Sequence, residues 1–151
     1  MKIRLLWVLI GVITIATAVI GCGKPDKEVD VAVNLQNASN VGSLQIGISY
    51  DASVLQVMQV EAEELGENAL IESNTDNPGV IVIGIVDSSG INGSGSVVSI
   101  SFTVLEKDGS SYLTIENATA HDVNTLVDLP TTLTQGNFLS GDVSPPTISL
   151  Q

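Results

Sequence analysis

Apolar side chains fall on every second position through most of this chain, a spacing that suits a half-buried strand and not an amphipathic helix. Val29, Val31, Val33 and Leu35 share one phase, with Asp30, Ala32 and Asn34 in the other. Leu44, Ile46, Ile48 and Tyr50 repeat the pattern against Ser43, Gln45, Gly47 and Ser49. Leu55, Val57 and Val60 predict a third strand, and Val98, Ile100, Phe102 and Val104 predict another against Ser99, Ser101 and Thr103. Residues 80–86 are apolar in both phases except at Gly84, which predicts a strand covered on both faces. Residues 112–115 and 133–139 supply the last strands. Turn-forming residues separate these runs at 37–40, 51–53, 74–79, 87–95, 107–110 and 121–124. Only residues 61–68 suit a short helix. About eight or nine short strands with regularly spaced turns predict an all-β sandwich.

The N-terminal segment constrains location, not fold. Lys2 and Arg4 precede an apolar run that breaks at Val19-Ile20-Gly21-Cys22, the layout of a secretory signal. It resembles a bacterial lipoprotein signal, in which Cys22, the one cysteine, would become the acylated N-terminus. The expected organisation is a signal peptide over 1–21, a short tether over 22–27, a sandwich over 28–139 and a tail or linker over 140–151. The rivals are an uncleaved anchor, since about 17 apolar residues stand at the short limit of a membrane span, and plain secretion. Several acyl chains on Cys22 would hold the chain stably where one would not. The expected location is therefore the cell envelope, lipid-anchored and facing outside the cytoplasm.

Charge narrows the partners. The net charge is −12, and removal of Lys2 and Arg4 takes it to −14, leaving Lys24, Lys27 and Lys107 as the only basic side chains apart from His121. Such a surface cannot neutralise phosphates, which excludes nucleic acid. It also excludes electrostatic docking to anionic lipid, so contact with the membrane would rest on the anchor. With Cys22 acylated, no disulfide can form and the core must suffice alone.

The order of segments resembles a cohesin module. Residues 29–35 are followed by Asn40-Val41-Gly42-Ser43-Leu44 and then Ser49-Tyr50-Asp51-Ala52-Ser53-Val54-Leu55-Gln56-Val57, similar to the family's tyrosine–aspartate–proline run with Ala52 in the proline position. Pro78-Gly79, Asp87-Ser88-Ser89-Gly90, Ile115-Glu116-Asn117-Ala118-Thr119 and Gly136-Asn137-Phe138 follow in the same order. The resemblance implies a nine-stranded jelly-roll β-sandwich whose role is to grip a calcium-loaded dockerin, the calcium belonging to the partner and no cofactor to this chain. It implies a partner-binding face with Ser43, Gln45, Asp87 and Ser88 near its middle, and places Val86 where dockerin binders often carry an acid. The implied protein is a non-catalytic surface lipoprotein linked to polysaccharide degradation.

The alternative is a carbohydrate-binding module that recognises polysaccharide directly. Stacking on sugar rings needs exposed aromatics, and Tyr112 is the one aromatic outside the apparent core phases. An enzyme is disfavoured: Gly-x-Ser-x-Gly is absent, and His121, the lone histidine, reads as a surface turn residue. Asp26, Glu28 and Asp30 lack the glycine and closing glutamate of a calcium loop. Glu61, Glu63, Glu64 and Glu67 read as a solvated acidic loop, and Asp51 as the cap of its own turn.

Overall fold

Two long strands carry the architecture of the computed structural model, which describes residues 27–106, 109–139, 142–144 and 147–150. The signal segment, Cys22 and most of the tether lie outside the described residues, as do residues 107 and 108 of one predicted turn. Strands β1 (Glu28–Ser49) and β4 (Val80–Val104) pair antiparallel from Glu28 against Thr103 to Ser49 against Val80. The turn expected at 37–40 and the loop expected at 87–95 are therefore not chain reversals. They are facing irregularities in one ladder, whose register slips at four places between Val33 and Ser43.

The residues explain the misreading. Asn37 and Asn40 sit at φ 56° and 54°, and Gly90 and Gly93 opposite them at 79° and 108°. Asparagine and glycine adopt this left-handed region most readily. Asn37 N–H donates to Ser94 Oγ at 3.0 Å, and Asn40 N–H to Asn92 Oδ1 at 2.9 Å, which covers backbone groups that the ladder leaves free. Bulges bend and twist the strands that carry them. Here they steer β1 and β4 together from one layer into the other.

One layer runs β3 (Leu70–Asn74), the first half of β4, the second half of β1, β5 (Ser110–Asp122) and β6 (Asp128–Leu129). The other runs β2 (Leu55–Ala62), the second half of β4, the first half of β1, β10 (Thr147–Leu150) and β7 (Thr131–Thr134). Strands β8 (Gly136–Leu139) and β9 (Asp142–Ser144) extend the sheet from the start of β5. The all-β sandwich is as expected, with ten strands among the described residues, two of them far longer than the pattern suggested.

The predicted phases fill the space between the layers. Val31, Val33, Leu35, Leu44, Ile46, Ile48, Ile100 and Phe102 are buried, as are Ile85, Ile83 and Ile81, the cross-strand neighbours of Leu44, Ile46 and Ile48. Each such side chain contributes roughly 1.5–3 kcal/mol on leaving water. Tyr50 sets its ring edge-on to Phe102 at 5.3 Å between centroids. No buried side-chain polar atom among the described residues lacks a hydrogen-bond partner.

Three further expectations change. The helix suited to 61–68 is a single 3-10 turn, Glu64–Gly66. The strand expected over 133–139 is two, β7 pairing with β10 and β8 with β5. The expected tail over 140–151 contains β9 and β10: β10 lies parallel to β1, with Asn34 against Thr147, and Ile148 is 0% exposed. Pro145-Pro146, read as part of that tail, lies outside the described residues.

Candidate functional site

The outer surface of the β3–β4–β1–β5–β6 layer carries Ser43 and Gln45 of the predicted side chains. Register places Leu70, Val86, Ser43, His121 and Asp128 in one row across five strands. Glu72, Gly84, Gln45 and Thr119 form the next row, then Asn74, Val82, Gly47 and Asn117. Because alternate residues of a strand face opposite ways, the outward set is the polar phase of β1 and β5 but an apolar phase of β4.

That last point corrects the reading of residues 80–86 as covered on both faces. Ile81, Ile83 and Ile85 point inward and are buried, whereas Val80, Val82 and Val86 point outward, Val86 being 53% exposed. Period two was hidden because both phases are β-branched and apolar. Gly84 was the sole break, and there a Cβ would have open space around it.

Ser43 and Gln45 lie on this face as expected, and Ser88 is exposed at its edge. Asp87 departs from its assigned place. It is buried, and its carboxylate accepts the N–H of Ser89 at 2.7 Å, so it holds its own bend and does not face outward. Asp51 fulfils its capping role: Oδ1 accepts Ser53 N–H at 2.9 Å and Ser53 Oγ–H at 2.6 Å, and these bonds hold its pKa below the ordinary 3.8. Tyr112 is 73% exposed but lies at the far end of β5, beside Ser49, Tyr50, Asp51 and Thr114. Among the described residues it is the one exposed aromatic, which makes a single ring and not a stacking platform.

His121 is more than a surface turn residue. Ser43 Oγ lies 3.1 Å from Nδ1, and Asp128 Oδ1 lies 3.1 Å from Nε2. With the proton on Nε2, the ring donates to Asp128 and accepts the Ser43 hydroxyl. Ser43 and His121 are 78 positions apart, so no local motif could announce the contact. The row has the composition of a hydrolase triad without its setting. It crosses an open sheet whose backbone N–H groups are engaged in the ladders on both sides of β1, leaving no donor pair for an oxyanion.

The face is shallow and acidic. One depression of about 280 Å³ is lined by Ser43, Gln45, Gly84, Val86, Thr119 and His121, and a second of about 230 Å³ adjoins it between Val86 and Leu126. Glu72, Glu116 and Asp128 rim the surface. Lys27, ahead of β1, is the one lysine or arginine among the described residues, and no group of three metal-ligating side chains occurs among them. Strand β3, which supplies Leu70 and Glu72, escaped the sequence pattern because only Ile71 of its five residues packs against the core.

Comparison with known proteins agrees with this architecture. The family model described as "Cohesin domain" matches residues 15–139. The fold is similar to a non-cellulosomal cohesin from the archaeon Archaeoglobus fulgidus, at 26% identity and TM-score 0.61 over 83% of this chain and 80% of that one. It is similar to the cohesin CaCohA2 from Clostridium acetobutylicum, at 24% identity and TM-score 0.60 over 85% and 83%. A type I cohesin–dockerin complex from Clostridium thermocellum matches at 17% identity and TM-score 0.62 over 85% and 91%. A comparison with curated protein sequences finds no relative.

Proposed function

The chain belongs to the cohesin domain family, and from that premise we propose that it is a non-catalytic dock for a dockerin-type protein module, fixed to the cell envelope through an acylated Cys22. The observation that carries the reading is the open five-strand face, in which Ser43, Gln45 and Thr119 offer hydrogen bonds beside the exposed Val82 and Val86 of β4. Protein interfaces combine an apolar centre with a polar rim in this way, and a few central residues supply most of the affinity. The expected partner brings its own calcium, because this chain's carboxylates are spread along the rim or spent on turns. Through such a dock, a secreted polysaccharide-degrading enzyme would be retained at the surface.

The test is capture from the host's own secreted proteins on the immobilised protein, in calcium and in chelator. Retention of a protein with paired calcium loops, in calcium only, is the expected result. Retention of no such protein in either condition overturns the reading.

A further inference from the structure

The layer built on β2, β4 and β1 is closed by a segment outside the family match. That match ends at residue 139, with β8, yet β10 lies between β1 and β7. Thr147, Ile148 and Ser149 pair with Asn34, Leu35 and Gln36 on one side, and Thr147 to Leu150 pair with Thr134 to Thr131 on the other. Adjacent strands stand about 4.8 Å apart, so β1 and β7 flank a slot roughly 10 Å across, one strand wide. Without an occupant, the backbone groups that line the slot could not reach one another. Edges left in that state recruit an extended strand.

The slot selects its occupant by shape and charge. Ile148 and Leu150 are 0% and 3% exposed, and Ile148 completes a row between Leu35 and Leu133. An occupant therefore needs aliphatic side chains two positions apart, because a charged one would be buried unpaired. None of residues 34–36, 131–134 and 147–150 carries a charge, although the chain as a whole stands at −12. A strand of the same sequence meets no like charge here.

The grip of β10 is short: four residues, joined to β9 across residues 145 and 146. Short connections invite exchange of the element they carry. A strand from a second copy would make the same contacts, with none lost. We infer that the slot between β1 and β7 is a strand-acceptor site, and that its occupant in trans is the β10 of a second copy. The entering strand runs parallel to β1 and antiparallel to β7, as β10 does in its own domain. Reciprocal exchange links two domains through backbone ladders and leaves the β3–β4–β1–β5–β6 face of each open.

The experiment follows one disulfide between copies in a Cys22→Ser background, which removes the one native thiol. One copy carries Thr134→Cys and another Thr147→Cys, positions that are cross-strand partners and hence within disulfide reach. The two are unfolded together in urea, refolded at high concentration and oxidised mildly. Exchange predicts a mixed covalent dimer about tenfold or more above either homodimer, in a yield that falls on dilution. Ile148→Asp in the Thr147→Cys copy should lower the mixed dimer about tenfold. Met58→Asp, on the exposed far edge of the layer, should leave it unchanged. Random collision gives a mixed dimer only about twice as abundant as each homodimer. That proportion overturns the inference, as does no covalent dimer while a Thr134→Cys/Thr147→Cys double variant closes its bond within one chain. Failure of the double variant to close overturns it too, by removing β10 from the slot. The docking reading, which concerns the opposite layer, stands or falls separately.

Discussion

Ile148→Ala separates an integral last strand from a dangling tail. Ile148 is fully buried on β10, between β1 and β7. The substitution removes three carbons, a transfer loss of about 2.4 kcal/mol at roughly 0.8 kcal/mol each. Incomplete collapse around the void adds a cavity term, so the total is about 3 kcal/mol, inside the range seen for buried isoleucine-to-alanine changes. For a domain of this size each kcal/mol moves the melting temperature by roughly 3–5 °C, giving a fall of about 9–15 °C. A residue in a solvated linker would change stability by no more than about 0.5 kcal/mol. Urea and thermal unfolding, followed by circular dichroism, distinguish the two. A melting temperature within about 2 °C of the wild type would refute the placement of β10 in the sandwich.

Three other outcomes follow from particular contacts. In Gly66→Ala the new Cβ would lie 2.3 Å from the Val97 carbonyl oxygen, the same atom that accepts the Glu63 N–H, so the 3-10 turn must lift from β4 at a cost of about 2–3 kcal/mol; an unchanged urea midpoint would contradict that packing. Hydrogen bonds from Ser53 hold the Asp51 pKa below 3.8, and those from Thr125 and Asn124 do the same for Asp122. Lowered folded-state values mean stability fully present above 3.8 and lost as pH falls through the folded values; a melting temperature that is flat down to about pH 5, declines below pH 4, and declines less in Asp122→Asn is expected, and an equal decline in the variant removes the turn from the account. For the anchor, Cys22→Ser should abolish palmitate labelling and move the protein from membranes to the soluble fraction; a variant that stays labelled refutes acylation at that position.

Much of this fold was legible because burial on one face imposes period two. Val29 to Leu35 and Leu44 to Tyr50 declared their inward phases, and by subtraction Ser43 and Gln45 declared the outer face. Legibility failed where local chemistry has two meanings. Asn37, Asn40, Gly90 and Gly93 accept left-handed backbone, and a bulge needs that as much as a turn does. Asp87 reads from sequence both as a partner contact and as the cap of its own loop, and its bond to Ser89 is that of the cap. Contacts between distant segments leave no trace in either segment alone, which is why the row through Ser43, His121 and Asp128 and the pairing of β10 with β1 were invisible.

Because β1 and β4 belong to both layers, tension applied to the docking face has a covalent route into the rest of the domain. A pull at Ser43 travels along the backbone into residues 28–36, which are gripped by β4 on one side and β10 on the other. Those ladders are then strained in shear, many bonds at once, instead of being unzipped one at a time. For the tethered dock proposed above, strands that refuse to stop at the edge of a layer would give endurance to the hold on its cargo.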